Sequence, residues 1–195
     1  MKKVALTGNV AAGKTTALNF IKKLGYPVLS SDEVYHQLLK KDAELRNKLS
    51  SHFGCSIING KGINTILLRK ILQINPKEIE FVEQVSHPKI IKEIRLFLKK
   101  NENKQLVVVD VPLLFEKKLD SMFDFIITVY CSSMVQRKRL KMRHWNDDDM
   151  KFIFSNQLPV KTKIKKSDFV IKNDDISLSE LKEKIKIIIE KILEK

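Results

Sequence analysis

Two cysteines in 195 residues, Cys55 and Cys131, are too few and too far apart for a disulfide framework, and neither belongs to a Cys-x-x-Cys pair. That weighs against metal or redox roles; both are expected as small buried apolar side chains in a reducing compartment. Long apolar runs are lacking as well. The start, Met1-Lys2-Lys3-Val4-Ala5-Leu6-Thr7-Gly8, is basic but meets glycine before a signal core of about 7–15 apolar residues can form. Nothing approaches the roughly 18 apolar residues of a membrane-spanning helix. A cytoplasmic protein with no membrane partner is expected. Acidic residues are scarce, with 23 Asp and Glu against 37 Lys and Arg, for a net charge of +14. Such an excess suits a polyphosphate, a nucleic acid or an acidic membrane, and by itself does not choose among them. Much of it is lysine beside abundant isoleucine and asparagine, a bias that an AT-rich genome also produces. Single-strand binders use interleaved aromatic side chains, whereas the fourteen aromatics here fall mainly in apolar runs. Nucleic acid is therefore not an expected partner. There is no internal repeat, low-complexity tract or interdomain linker.

What is present is an alternation of short apolar runs and helical periodicity, in a chain long enough to bury about 70% of its unfolded surface as one domain with an insertion. Strands are expected at Lys3 to Thr7, Pro27 to Leu29, Leu106 to Asp110, Phe125 to Tyr130 and Phe169 to Ile171, and a helix at Gly13 to Leu24. Continuous apolar strands alternating with helices imply an α/β fold, a mostly parallel sheet covered on both faces. Between the second and third strands lie about 75 residues, far more than the dozen or so a crossover needs. Helices are expected there over Val34 to Lys40, Ala43 to Phe53, Thr65 to Leu72 and Pro76 to Lys99, broken by a loop at Ile58-Asn59-Gly60-Lys61-Gly62. This insertion reads as an acceptor-binding part. In the last helix, Leu178, Leu181, Ile185, Ile188 and Ile192 form a core stripe behind a Ser177–Glu180 capping box.

Gly8-Asn9-Val10-Ala11-Ala12-Gly13-Lys14-Thr15 satisfies the Walker A pattern, with an apolar strand before it and a helix after it. Glycines at both ends let the backbone curl so that N–H groups converge on phosphate oxygens, with Lys14 reaching the β- and γ-phosphates and the Thr15 hydroxyl ligating Mg²⁺. The pattern specifies nucleotide binding and leaves ATPase, GTPase and small-molecule kinase open. Asp110 ends an apolar strand in the manner of a Walker B acid that holds Mg²⁺, or else caps the strand end. Asp32, just past the second strand, is placed to orient and deprotonate an attacking hydroxyl; it equally fits the first turn of a helix capped by Ser30 and Glu33. Gln136, Arg139 and Arg143 recur at i, i+3 and i+7, so both guanidinium forks can face a phosphate from one helix face, against the alternative of a solvated face. Asn146 to Asp149 reads as a helix cap, and Lys161, Lys163, Lys165 and Lys166 as a solvated face. His87-Pro88 either serves the substrate or starts a helix with Pro88 at its first position.

Taken together, the Walker A start, Asp32, Phe53-Gly54, His87-Pro88-Lys89-Ile90, Pro112-Leu113-Leu114-Phe115-Glu116, Gln136 with Arg139-Leu140, Gln157, and Asp168-Phe169-Val170-Ile171 with Asn173 resemble the dephospho-coenzyme A kinase family over nearly the whole chain. The resemblance implies a P-loop NTPase fold with a five-stranded parallel sheet, using ATP and Mg²⁺ to phosphorylate the ribose 3'-hydroxyl of dephospho-coenzyme A. It implies a core over 1–32, 102–135 and 165–195, a helical acceptor domain over 33–101 and a lid over 136–164. Lys14, Asp32 and Arg139 are implied to be catalytic. Gly8, Ala11, Ala12, Gly13, Lys14, Thr15, Thr16, Arg143 and Asn173 are implied to hold the nucleotide, with Asn173 near adenine. Asp32, His87 and Leu114 are implied to meet the acceptor, and Thr15 and Asp110 the metal. A monomer or small homo-oligomer is expected. The chain departs from the family pattern at Ser30-Ser31-Asp32, where Asp-Ala-Asp is usual, at Asn64-Thr65 for Asp-Arg, and at Ile164 for a lid Arg. A kinase for a nucleoside, a nucleoside monophosphate or another small metabolite is the nearest competing reading.

Overall fold

Residues 1–60, 62–174 and 176–195 are described by a computed structural model. Strand β1 (Lys2–Thr7) feeds the turn into helix α1 (Lys14–Lys23), and β2 (Val28–Ser30) follows. Helices α2 (Ser31–Lys41) and α3 (Ala43–Phe53), a 3-10 turn at Cys55–Ile57, strands β3 (Ile58–Asn59) and β4 (Gly62–Ile63), and helices α4 (Thr65–Ile74) and α5 (Glu78–Lys100) make up the insertion. The chain continues through β5 (Leu106–Asp110), β6 (Phe125–Tyr130), α6 (Ser133–Lys141), α7 (Asp147–Ser155), α8 (Val160–Lys165), β7 (Phe169–Lys172) and α9 (Leu178–Leu193). It divides into two compact units, one of Met1–Ser30 with Leu98–Lys195, the other Ser31–Phe97.

In the first unit the described strands form a five-stranded sheet in the order β2-β5-β1-β6-β7, every pairing parallel. From β1 the chain crosses to the edge strand β2, returns to β5 between β2 and β1, and then passes β1 to add β6 and β7 on the other side, so β1 sits where strand order reverses. That is where open α/β sheets bind ligands, beyond the carboxyl ends of the strands. Val4, Leu6, Leu106, Val108, Ile127 and Val129 fill the sheet interior, against Ala17, Leu18 and Ile21 of α1 and Leu181, Ile185, Ile188, Ile189 and Ile192 of α9. Each fully buried aliphatic side chain contributes about 1.5–3 kcal/mol relative to an exposed one. The expected α9 stripe needs one correction: Leu178 is 66% exposed, because it opens the helix, and Ile189 takes the core position instead. Ser177 accepts a hydrogen bond from the Glu180 amide as an N-cap should.

The second unit packs Leu39, Leu45, Leu49, Ile57, Ile63, Leu68 and Val82 into its own core. Its expected loop at 58–62 instead carries a short antiparallel ladder, Ile58 opposite Ile63 and Asn59 opposite Gly62, while Lys61 lies outside the described residues. A two-residue ladder leaves no periodicity to read. Pro88 does not begin a helix but sits inside the 23-residue α5, where its missing N–H leaves the Gln84 carbonyl without its usual helical donor. Cys55 is exposed after Gly54 ends α3, so only Cys131 is the buried thiol expected of both. Among the described residues no helix is long and apolar enough to cross a membrane.

Candidate active site

The loop from Gly8 to Gly13 is held in shape by its glycines and by four side chains, which arrive from α1, from α6 and from the residue after β7. Gly8 has φ +145, and a Cβ there would collide with the Val129 carbonyl of β6. Gly13 has φ +100, and the Asn173 amide group occupies the space a Cβ would need. Only glycine fits either place. Between them Ala11 adopts φ +60, a left-handed conformation that an L residue holds only when its surroundings fix it.

Those surroundings are donors aimed at the loop's carbonyls. Lys14 Nζ donates to the Gly8 and Asn9 oxygens at 3.2 and 3.0 Å. Gln136 Nε2 donates to Val10 O at 3.0 Å, Arg139 Nη1 to Ala11 O at 3.2 Å, and Asn173 Nδ2 to Ala12 O at 2.6 Å. Every carbonyl from Gly8 to Ala12 is thus engaged by a side-chain donor. A loop whose carbonyls are engaged in this way can turn its N–H groups toward an anion, as a phosphate nest requires. Intrahelical pairing in α1 starts with the Ala17 amide on the Gly13 carbonyl, so the Thr15 and Thr16 amides belong to the helix's anion-binding first turn. Both threonines are exposed there, whereas Lys14 is largely buried by its fold-back onto the loop.

Beneath the loop, Ala11, Leu140 and Met150 form a small core joined by Val10, Trp145 and Phe154, which seats α6 and α7 against it. Asn146 and Asp149 exchange the reciprocal bonds of a capping box at the start of α7. Arg139 also donates through Nη2 to the Asp174 carbonyl at 2.9 Å. The Asp174 carboxylate accepts from the Ser132 amide, which with Lys172 holds its pKa below the usual range. Sequence reading passed over Asp174, whose only local signal is its place after Asn173. Burial pushes the Cys131 thiol up, so it stays protonated and packs as an apolar group.

Asp110 is buried at the end of β5, opposite Leu6 of β1 and Ser30 of β2, hence beside the strand that carries the loop. Three expectations are corrected. Arg143 is not on the face shared by Gln136 and Arg139: α6 ends at Lys141, and Arg143 lies exposed in the following turn. Leu114 is 0% exposed and presents no surface to an acceptor. Lys163 is not part of a solvated face but is 0% exposed, paired with Glu116 at 2.7 Å and donating to the Pro112 carbonyl at 2.7 Å.

In the second unit, Asp32 is exposed in the first turn of α2, two residues beyond the end of β2 along the chain. His87 is half-buried within α5, preceding Pro88. A cavity of about 920 Å³ lies between α3 and α5, with Phe81, Val85 and Pro88 as apolar wall and Lys48, Lys89 and Lys92 at its polar side.

The dephospho-CoA kinase family model matches residues 2–179. A dephospho-CoA kinase of Bartonella quintana is 34% identical over 196 residues, spanning 99% of both chains. The structure of a dephospho-CoA kinase from Campylobacter jejuni superposes with a TM-score of 0.74 at 25% identity, covering 100% of this chain and 98% of the other. A Thermus thermophilus protein shares the fold with a TM-score of 0.81 at 24% identity, covering 97% of each chain. With a phosphate loop of this construction at the reversal point of a five-stranded parallel sheet, the chain is a P-loop kinase that belongs to the dephospho-CoA kinase family.

Proposed function

We propose that this protein transfers the γ-phosphoryl group of ATP to the ribose 3'-hydroxyl of dephospho-coenzyme A in the cytoplasm, giving coenzyme A and ADP. The observation that carries the reading is the phosphate loop itself, with all five carbonyls from Gly8 to Ala12 met by side-chain donors, in a chain of this family. Lys14 and the first turn of α1 receive the β- and γ-phosphates. Lys14 leaves its loop carbonyls for phosphate oxygen, a stronger charge-assisted acceptor. The Thr15 hydroxyl and the Asp110 carboxylate are hard oxygen donors, a set that fits Mg²⁺ arriving with its nucleotide and water ligands. Bound there, Mg²⁺ would offset negative charge on the phosphates. Arg139 stabilises the charge on the transferring group, and Asn173, besides bracing Ala12, lies on the adenine side.

Residues 33–101 bind the acceptor, with His87 on its side, and 136–164 act as the lid over the nucleotide. Asp32 orients the 3'-hydroxyl in line with the γ-phosphate and takes its proton, contributing chiefly through alignment. Excluding water as the lid closes directs the phosphoryl group to the acceptor rather than to hydrolysis. Incubation with Mg-ATP and dephospho-coenzyme A, followed by mass spectrometry and phosphorus NMR, is expected to give one added phosphoryl group on the 3'-oxygen. Phosphorylation of a nucleoside or a nucleoside monophosphate from a parallel panel, with dephospho-coenzyme A unmodified, would move the assignment to the competing kinase class.

A further inference from the structure

The segment leading into α8 meets the phosphate loop at one residue and Glu116 at the next. Gln157 Oε1 accepts a hydrogen bond from the Val10 amide at 3.2 Å, and the next amide, Leu158, donates to Glu116 Oε1 at 2.8 Å. Glu116 pairs through that same oxygen with Lys163 Nζ at 2.7 Å, and Lys163 donates to the Pro112 carbonyl at 2.7 Å. The Thr7 hydroxyl donates to that carbonyl at 3.4 Å. The chain of contacts therefore begins at Thr7, immediately before Gly8, and returns at Val10, two residues after it. All of these residues belong to the first unit.

The centre of this chain is an ion pair almost out of water. Lys163 is 0% exposed and the Glu116 side chain 10%, and Glu116 Oε2 is buried without a hydrogen-bond partner among the described residues. Desolvating such a pair offsets much of its attraction, so stability alone is weak ground for having it. What the pair provides is direction. It fixes the Leu158 peptide, and with it the point from which Gln157 reaches Val10. Val10 is then held at both ends, its amide by Gln157 and its carbonyl by Gln136 Nε2 at 3.0 Å. Holding both ends sets two successive peptide planes in the part of the loop that must present N–H groups to phosphate. It also commits the Val10 amide to Gln157, leaving phosphate to amides further along the loop and at the start of α1.

We propose that Gln157 is a positioning residue for ATP, aimed at the Val10 amide by the Glu116–Lys163 pair so that the phosphate loop is shaped before the nucleotide arrives. The inference rests on the ATP reading of the loop but not on the identity of the acceptor. Its test is Gln157→Met, which keeps side-chain length and apolar contacts and removes the acceptor oxygen. Binding of Mg²⁺ with a non-hydrolysable ATP analogue is measured by calorimetry, beside thermal unfolding and steady-state kinetics. The expected result is an analogue Kd weaker by about three- to tenfold, the factor one neutral hydrogen bond supports. KM for ATP should rise in step, while KM for dephospho-coenzyme A and kcat move less than twofold. Lowered Tm with an unchanged Kd would make Gln157 a structural brace and overturn the proposal, as would a Kd within twofold of wild type at unchanged Tm.

If Gln157→Met is poorly folded, the paired change Glu116→Gln with Lys163→Met removes both charges and keeps an oxygen for the Leu158 amide. It is expected to weaken the analogue in the same direction by about threefold through looser aiming of Gln157; wild-type affinity there would overturn the role of the pair. Wild-type protein that binds the analogue but leaves dephospho-coenzyme A unmodified removes the acceptor assignment and not this one. Wild-type protein that binds no analogue overturns both.

Discussion

Arg139 uses both arms of one guanidinium on backbone carbonyls, Nη1 on Ala11 and Nη2 on Asp174. A lysine could keep the charge and reach one of these oxygens, but not span both with a fixed plane. Arg139→Lys is therefore expected to lower single-turnover phosphoryl transfer by at least about tenfold, about 1.4 kcal/mol in barrier, with a smaller loss in equilibrium ATP binding. Transfer at the wild-type rate would reduce Arg139 to a general positive charge. At Asp32 the question is alignment against capping. An exposed carboxylate in the first turn of α2 is worth a fraction of a kcal/mol to the helix, whereas a positioned base contributes about 10²–10⁴ in rate. Asp32→Asn is accordingly expected to lower kcat within that range while KM for the acceptor changes little; kcat within a few-fold of wild type would return the residue to capping. The loop residues from Gly8 to Thr15 were legible in the sequence because their signal is local. Their braces were not legible as braces: Gln157 bonds Val10 across 147 residues and Asn173 bonds Ala12 across 161. Spacing carries no trace of such pairs, and the burial of Lys163 was hidden because its partner Glu116 lies in another segment.

Helix α3 shows how an element can be tied from its first residue. Asp42 is its N-cap, accepting from the Leu45 amide at 2.8 Å, and its carboxylate also receives Lys89 of α5 at 2.9 Å. Lys89 bridges onward to Glu44 at 2.7 Å. The Leu45 amide first, and Lys89 second, hold the Asp42 pKa below the usual carboxylate range, while Lys48 and Lys89 pull Glu44 down to about 2. Because the folded-state pKa of Asp42 lies below its unfolded value near 3.9, its stabilisation is present above about pH 4. It fades as pH falls from there through the lowered folded-state value. Asp42→Ala is expected to cost about 1–2 kcal/mol at pH 7, from the lost cap and a part-exposed ion pair. The gap between mutant and wild type in urea midpoint should shrink as the pH is taken toward 3; a gap unchanged over that interval would show that the carboxylate charge is not what matters. Ala43–Phe53 and Leu106–Asp110 were read from sequence with their observed bounds, since a capped amphipathic helix and an unbroken valine strand each carry one clear period. The helix expected over Pro76 to Lys99 does run through Pro88, and only the alternative of a helix beginning there fails, because a proline tolerated within a helix is indistinguishable in sequence from one that starts it. The β3–β4 ladder is too short to have a period at all.

The arrangement of the first unit from two stretches of chain, with Ser31–Phe97 between them, was foreshadowed by the long gap between the second and third strands, though no sequence rule gives the strand order. The charge of +14 was the whole-molecule property hardest to read. In the structure Lys89, Lys163, Lys172 and Lys184 are paired with carboxylates, but such pairs consume one charge of each sign and leave the excess of +14 in place. That excess suits recruitment of small polyanions, which both ATP and dephospho-coenzyme A are, and such steering is long-range and screened. The Debye length falls from about 10 Å at 0.1 M salt to about 3 Å at 1 M. Raising potassium chloride from about 0.05 to 0.5 M should therefore increase KM for both substrates by a few-fold, with kcat within about twofold because contacts inside the site are short. Single-stranded DNA should not compete with either substrate at about 0.15 M salt. DNA that is held there, with a log Kd rising steeply and linearly with log salt, would mark several phosphate contacts to nucleic acid and make the basic surface a binding face in its own right. KM values indifferent to salt would instead show that the excess lysine has no part in drawing substrates in, leaving nucleotide capture to the phosphate loop alone.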